Sequence, residues 1–231
     1  MNKNGKILFF NNRAWRNLIL CGFLLFFSSA ATTIQTKTSE WTLKKNESGI
    51  AVYTRDAESS DFKELKAVTY VKTSVSSIVA LLNDWDSYPQ WVYKCGKSST
   101  LKKISETEVM HYQTVVAPWP VDNRDFVVNV KLTQDPASKI VSIVSTCMPD
   151  YIPKVPGYVR ITEFKASWTL IPLKDGTIQV TYQLLVNPGG YVPAWLVNLA
   201  VIDGPFDTTL HFKDWVMKKK YQETVVPFIK D

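Results

Sequence analysis

A chain of 231 residues with 45% hydrophobic and 21% charged residues has material for one sizeable core or two small ones. Its formal charge of +6 overstates its basicity, because Lys3, Lys6, Arg13 and Arg16 all precede residue 30 and no acid accompanies them. Taking those 4 from 27 Lys+Arg leaves 23 against 21 Asp+Glu, a net charge near +2, which gives no reason to expect a nucleic-acid partner.

The four basic residues precede an apolar run, Leu18 to Phe27, followed by Ser28-Ser29-Ala30-Ala31. A basic n-region, a short apolar core and small residues form a secretory signal, with cleavage after Ala30. The run is short for a membrane span, so an uncleaved anchor is the lesser alternative. Leu20 before Cys21 argues against a lipoprotein. Residues 1–30 are thus expected to be a signal peptide that exports the chain to the periplasm or beyond, 31–40 a flexible leader, and 41–229 the folded domain. Cys95 and Cys147 are the cysteines left after cleavage. An oxidising compartment permits a bridge, but two cysteines neither require nor locate one, and buried thiols are the plainer expectation.

From Trp41 the chain reads as strand, with Trp41 to Lys45 and Ile50 to Thr54 joined by the turn composition Asn46-Glu47-Ser48-Gly49. Glu64 to Thr73 is a longer strand with Leu65, Ala67, Thr69 and Val71 on one face. Ser74 to Trp85 changes period: Val75, Ile78, Val79, Leu82 and Trp85 recur at helical spacing, and Ser74 can cap the start. Gln90 to Tyr93 adds a short helical turn that places Trp91 inward. Strands are predicted at 94–104, 108–117, 126–133, 140–147, 158–172 and 177–186. Phe126, Val128, Val130 and Leu132 share one face, as do Ile178, Val180, Tyr182, Leu184 and Val186. Asp135-Pro136-Ala137-Ser138 and Lys174-Asp175-Gly176 read as hairpin turns.

Pro188-Gly189-Gly190 stops the last strand, and Pro193 suits the first position of a helix. Asp203-Gly204-Pro205 predicts an interruption, with a second helical piece from Phe206 to Tyr221 following at an angle or after a kink. Strands, helix, a run of antiparallel strands and a final helix make an α+β protein: a curved antiparallel sheet of about eight strands bent around a long C-terminal helix, with interior volume between them.

The search for catalytic chemistry is mostly negative. His111 and His211 lie in no metal-ligand spacing, and there is no Gly-rich phosphate loop or nucleophile elbow, so no metal, cofactor or catalytic residue is expected. The tryptophans carry more information. Core packing is the expectation for Trp41 and Trp168. Trp119 differs, standing in Ala117-Pro118-Trp119-Pro120, where two prolines hold an indole at a bend directly before Asp122-Asn123-Arg124-Asp125-Phe126-Val127.

Trp119-Pro120 with Arg124-Asp125-Phe126-Val127, together with Gly49-Ile50-x-Val52-Tyr53-x-Arg55, Trp91, Pro156-Gly157-x-Val159-Arg160 and Pro188-Gly189-Gly190-x-Val192-Pro193-x-Trp195-Leu196-Val197-Asn198, resembles the START domains, the steroidogenic-acute-regulatory-protein-related lipid-transfer modules. The resemblance runs in order from Trp41 to Val226, and the ordered set is specific where each motif alone is weak. It implies a helix-grip fold around a hydrophobic tunnel that holds one lipid-like molecule. It also implies that Arg124 lies at the cavity wall and meets a polar ligand head, the alternative being that Arg124 pairs with Asp125 or another acid. His111, Tyr112 and Gln113 lie where the family places further polar cavity groups. The candidate ligand residues are therefore Arg124, Trp119, Tyr112, His111 and Trp91, with Trp195, Leu199, Ile202 and Leu210 on the gripping helix.

The expected function is non-catalytic binding, and transfer, of a hydrophobic small molecule by a monomer that touches membranes transiently. Opening is expected at Asp203-Gly204-Pro205 and at the loop from Pro149 to Gly157. Two rival readings remain. Helix-grip relatives include polyketide aromatases and cyclases, against which the scarcity of histidines counts. A ligand-free module could instead use Lys218-Lys219-Lys220 against anionic lipid or a partner, although these lysines also complement a helix C-terminus.

Overall fold

The computed structural model describes residues 39–58, 60–192 and 194–231, with backbone alone over 194–201. The expected signal segment 1–30 and residues 31–38 of the expected leader lie outside the described residues, as do the side chains of Trp195 and Leu199.

Strand β1 (Thr42–Glu47) turns into β2 (Ile50–Asp56) through Ser48 and Gly49, both at positive φ (53° and 71°), as a two-residue hairpin with right-handed strand twist requires. β3 (Lys63–Val71) pairs with β2 and buries Leu65, Ala67, Thr69 and Val71, the face its alternation marks. Helix α1 (Val75–Leu82) starts where Ser74 Oγ accepts a hydrogen bond from the Ser77 amide at 3.0 Å. A 3-10 turn (Trp85–Ser87) and α2 (Tyr88–Trp91) follow, so the short helix lies slightly upstream of its expected place and Trp91 is buried, 1% exposed.

The sheet then continues through β4 (Cys95–Lys103), β5 (Glu108–Val115), β6 (Asn123–Gln134) and β7 (Val141–Cys147). The expected single strand 158–172 is two: β8 (Tyr158–Arg160), which runs parallel to β6, and β9 (Glu163–Pro172). The division brings Arg160 beside Asp125. With β10 (Ile178–Asn187) the sheet has ten strands, ordered β1-β2-β3-β10-β9-β7-β6-β5-β4 with β8 off the path on β6. Every pairing but that of β8 is antiparallel, and the last strand closes onto the first hairpin through β3. Inward positions align across strands: Val180 faces Thr69 on one side and Leu170 on the other, and all three are fully buried.

Helix α3 (Ala194–Val216) packs on β2 and β3. Phe206 enters a small cluster with Ile50, Val52 and Ala67, while Phe212 and Val216 join the main core. The expected break at Asp203-Gly204-Pro205 is absent, since α3 runs through Pro205. A proline inside a helix costs about 3 kcal/mol, and the burial of Gly204, Pro205, Phe206 and Phe212 offsets it. Gly204 is required here by proximity: a Cβ would come within 3.4 Å of the Tyr93 ring. The second helical piece does not reach Tyr221 either. The chain leaves α3 at Val216 and forms a separate turn, α4 (Lys219–Gln222), anchored where Lys220 Nζ and the Tyr221 hydroxyl each donate to Asp84 at 2.7 Å.

Of the two tryptophans expected in the core, one is elsewhere. Trp41 is half-buried at the surface, with Arg55 and Lys66 over its ring. Trp168 is in the main core as expected and also borders the cavity described next. Both remaining thiols are free: Cys95 is buried and pushed up to about 12 by that burial, and Cys147 is half-buried.

Candidate functional site

Between the concave face of the sheet and α3 lies a cavity of about 920 Å³. Period-2 alternation builds its walls, because alternate residues of each strand reach it. β6 contributes Arg124, Phe126, Val128 and Val130; β9 contributes Phe164, Ala166 and Trp168; β10 contributes Tyr182, Leu184 and Val186. These are the two faces that the sequence marks as apolar, extended by β9. Ile202, Gly204, Pro205 and Thr208 of α3 close the opposite side, and Tyr88 and Trp91 of α2 close one end. Aromatic packing makes these walls stiff: Trp168 stacks on Tyr182 with ring centres 4.4 Å apart and lies 5.3 Å from Phe212, and Phe126 stacks on Phe164 at 4.5 Å.

Charged and polar side chains interrupt this mainly apolar lining, Lys44, Asp61, Lys63, Lys94 and Arg124 among them. His111 and Gln113 on β5 face the cavity, whereas Tyr112 between them points to the other side of the sheet and is absent from the lining. The strand alternates, so only one of two neighbours can face inward. Tyr112 stands instead near Asp125, its phenol pushed up to about 12 by burial and by that carboxylate. His111 is 1% exposed and stacks on Trp85 at 4.3 Å, and burial drives its pKa down to about 4, so it is neutral at physiological pH.

Arg124 is buried at the cavity wall, 5% exposed, and makes no ion pair among the described residues. Its guanidinium donates to three backbone carbonyls: Asp122 through Nη1, Pro188 through Nε at 3.4 Å and Gly189 through Nη2 at 3.3 Å. Burial lowers its pKa, and nearby Asp122 works in the opposite direction. Asp125 is not its partner. Asp125 is held by Arg160, which donates to both carboxylate oxygens at 2.9 Å and also to the carbonyls of Pro149, Ile152 and Pro153 at 2.6, 3.1 and 3.1 Å. The loop from Pro149 to Gly157 is thereby fastened to β6 and takes no part in the lining.

The remaining candidates divide. Ile202 borders the cavity; Leu210 packs instead against the Phe206 cluster. Trp119 is 91% exposed and outside the lining, although its neighbours Ala117 and Pro118 belong to it. Across the rim Pro188 and Val192 also border the cavity, and Tyr191 between them is 89% exposed. Sequence reading missed Trp85, Tyr88, Trp168 and Tyr182 as wall residues. The helical spacing of Trp85 and the strand face of Tyr182 carry the inward direction, but nothing in either pattern distinguishes a wall from a filled core.

A family model for the START domain matches residues 30–221. The chain belongs to the START-domain family. This START domain is 34% identical over 169 residues to an uncharacterized protein of Pseudomonas aeruginosa, covering 73% of this chain and 83% of that one. It is 24% identical over 176 residues to the phosphatidylcholine transfer protein of Rattus norvegicus, covering 72% and 78%. Among solved structures, a STAR-related lipid transfer protein from Xanthomonas axonopodis superposes with a TM-score of 0.71 at 35% identity, covering 77% of this chain and 99% of that one. Human STARD10, at 17% identity and a TM-score of 0.67, shares the helix-grip fold, with 78% and 74% covered.

The remaining electrostatics of this START domain concern its surface. Each of the three consecutive lysines has a partner within the chain: Lys218 lies over the Trp215 ring, Lys219 pairs with Glu223 at 3.6 Å, and Lys220 pairs with Asp84. Among the described residues no group of three His, Cys, Asp or Glu side chains could hold a metal ion, and no helix is long and apolar enough to cross a membrane.

Proposed function

We propose that this protein is an exported carrier that holds one hydrophobic lipid-like molecule in the cavity, without chemistry, and exchanges it with membranes. The observation that carries this reading is the cavity itself: about 920 Å³ enclosed mainly by aromatic and aliphatic side chains, with a few polar groups to orient a head. Burying a lipid chain there gains roughly 25 cal/mol per Å² of apolar area. The lipid-transfer names of the Xanthomonas and rat relatives support the same reading. Absence of chemistry is supported by the lining, where His111 is held neutral by burial and no carboxylate pairs with it among the described residues.

Exchange is proposed at the rim, where Trp119 and Tyr191 stand exposed on the two loops that Arg124 joins. Indole and phenol rings suit the membrane interface, one end apolar and the other wet. Export rests on the signal-like composition of residues 1–30.

The test begins with the chain from Ala31 onward, purified natively and extracted with organic solvent for mass spectrometry. A stoichiometric lipid is expected. Ala166→Trp, which fills the cavity from β9, should abolish that lipid while leaving a cooperative unfolding transition. Trp119→Ala with Tyr191→Ala should slow transfer between vesicles without reducing bound lipid. Native protein free of lipid that also takes none up from vesicles would overturn the carrier reading.

A further inference from the structure

His111 is placed in the cavity with one ring nitrogen unused. The neighbouring Ser98 hydroxyl has a single hydrogen, given to the Trp85 carbonyl at 2.6 Å. Ser98 Oγ can therefore only accept from His111 Nε2, 3.3 Å away, which assigns the imidazole proton to Nε2. Nδ1 is left as a bare lone pair, buried and without a hydrogen-bond partner among the described residues. Native proteins rarely leave such an acceptor unsatisfied.

Two donors of this wall are committed. The Tyr88 hydroxyl donates to the Leu82 carbonyl at 2.7 Å, and the Trp91 indole N–H donates to Ser87 at 3.0 Å. Gln113, the next inward residue of β5, is 8% exposed, and its side-chain amide stands within reach of the His111 ring. Nδ1 and the Gln113 amide thus form an acceptor beside a group that can both donate and accept. Arg124 is farther off: His111 pairs with Val128 on β6, and Arg124 lies four residues along that strand, about 13 Å away at the rise of an extended chain.

Building on the carrier reading, we propose that this pair receives the head of the cargo, and that the cargo is an uncharged long-chain lipid whose head carries a hydroxyl. One hydroxyl satisfies both groups, donating to His111 Nδ1 and accepting from the Gln113 amide. A phosphocholine head has no O–H or N–H to donate, so it would leave His111 Nδ1 without a partner. The proposal therefore separates this chain from what the name of its rat relative implies.

The experiment compares three short-chain ligands with delipidated protein by titration calorimetry: 1,2-dioctanoylglycerol, its 3-O-methyl ether, and 1,2-dioctanoylphosphatidylcholine. The free hydroxyl should bind about tenfold tighter than the ether or the phospholipid, the worth of one buried hydrogen bond. His111→Phe, and independently Gln113→Leu, should remove that preference while the ether still binds. Equal affinity for alcohol and ether in the native protein, or tighter binding of the phospholipid, overturns the proposal and leaves the carrier reading standing. Failure of all three ligands to bind overturns both.

Discussion

The Asp125–Arg160 pair allows a quantitative test of how the outer face of the sheet is held. Its side chains are 1% and 3% exposed, so both charges have left water and depend on each other. Asp125→Asn keeps the shape and removes the negative charge, leaving a buried guanidinium held only by the carbonyls of Pro149, Ile152 and Pro153. Breaking a buried pair from one side costs about 3–5 kcal/mol, against a total stability of about 5–15 kcal/mol. In a domain of this size that is a fall in Tm of about 6–20 °C. Replacing both partners, Asp125→Asn with Arg160→Met, removes the stranded charge and should recover part of the loss. Urea unfolding gives the stabilities. A thiol reagent gives a second readout, since Cys147 neighbours Arg160, and a loosened 149–157 loop should speed its modification in the single variant. A single variant within 1 kcal/mol of the native protein, or a double variant no more stable than the single one, would refute the reasoning.

Two further outcomes follow from titrating groups. The unfolded chain protonates His111 near 6.5 and the folded chain only at about 4, so its contribution to stability is complete above 6.5 and is lost as pH falls toward 4. Between pH 7.5 and 4.5 the delipidated native protein should lose roughly 2–3 kcal/mol more than His111→Phe, measured by urea unfolding; parallel losses would contradict the assigned burial. Asp84 is pushed up by burial, but hydrogen bonds from Lys220 and Tyr221 outweigh this and lower its pKa, so its contribution is present above the ordinary carboxylate range and lost as pH falls below it. Asp84→Asn should cost about 1–2 kcal/mol at neutral pH and increase hydrogen exchange in α4; unchanged exchange there would show that α4 is held by other contacts.

Much of this architecture is legible in the residues. The alternation in β3, β6 and β10 fixes which side of each strand is buried, and Ser74 and the Ser48-Gly49 turn mark their elements by local chemistry alone. What escapes depends on tertiary partners. Nothing local divides 158–172 at Ile161; the division follows from Arg160 reaching Asp125, 35 residues earlier in the chain. Pro205 locally favours a break, and the burial of its neighbours overrides it. The Pro-Trp-Pro corner is visible in sequence, yet whether its indole faces the cavity or the solvent is set by how the loop sits on β6. Alternation narrows His111, Tyr112 and Gln113 to two choices of face, and only the register with β6 selects between them.

For exchange at the rim as proposed, the bonds of Arg124 to Asp122 on one rim loop and to Pro188 and Gly189 on the other would make the gate a single two-state element. Neither loop can swing fully away while the guanidinium holds the other, so the open form requires the bonds to one loop to break together. Hydrogen bonds to a charged group contribute about 1.5–3 kcal/mol each, less when as long as the two to Pro188 and Gly189. A gap of a few kcal/mol keeps the open form at roughly 0.1–10% of molecules. Cargo residence time would then be set at the rim by the lifetime of the closed form, and affinity by the cavity wall, so that the two can be altered independently of each other.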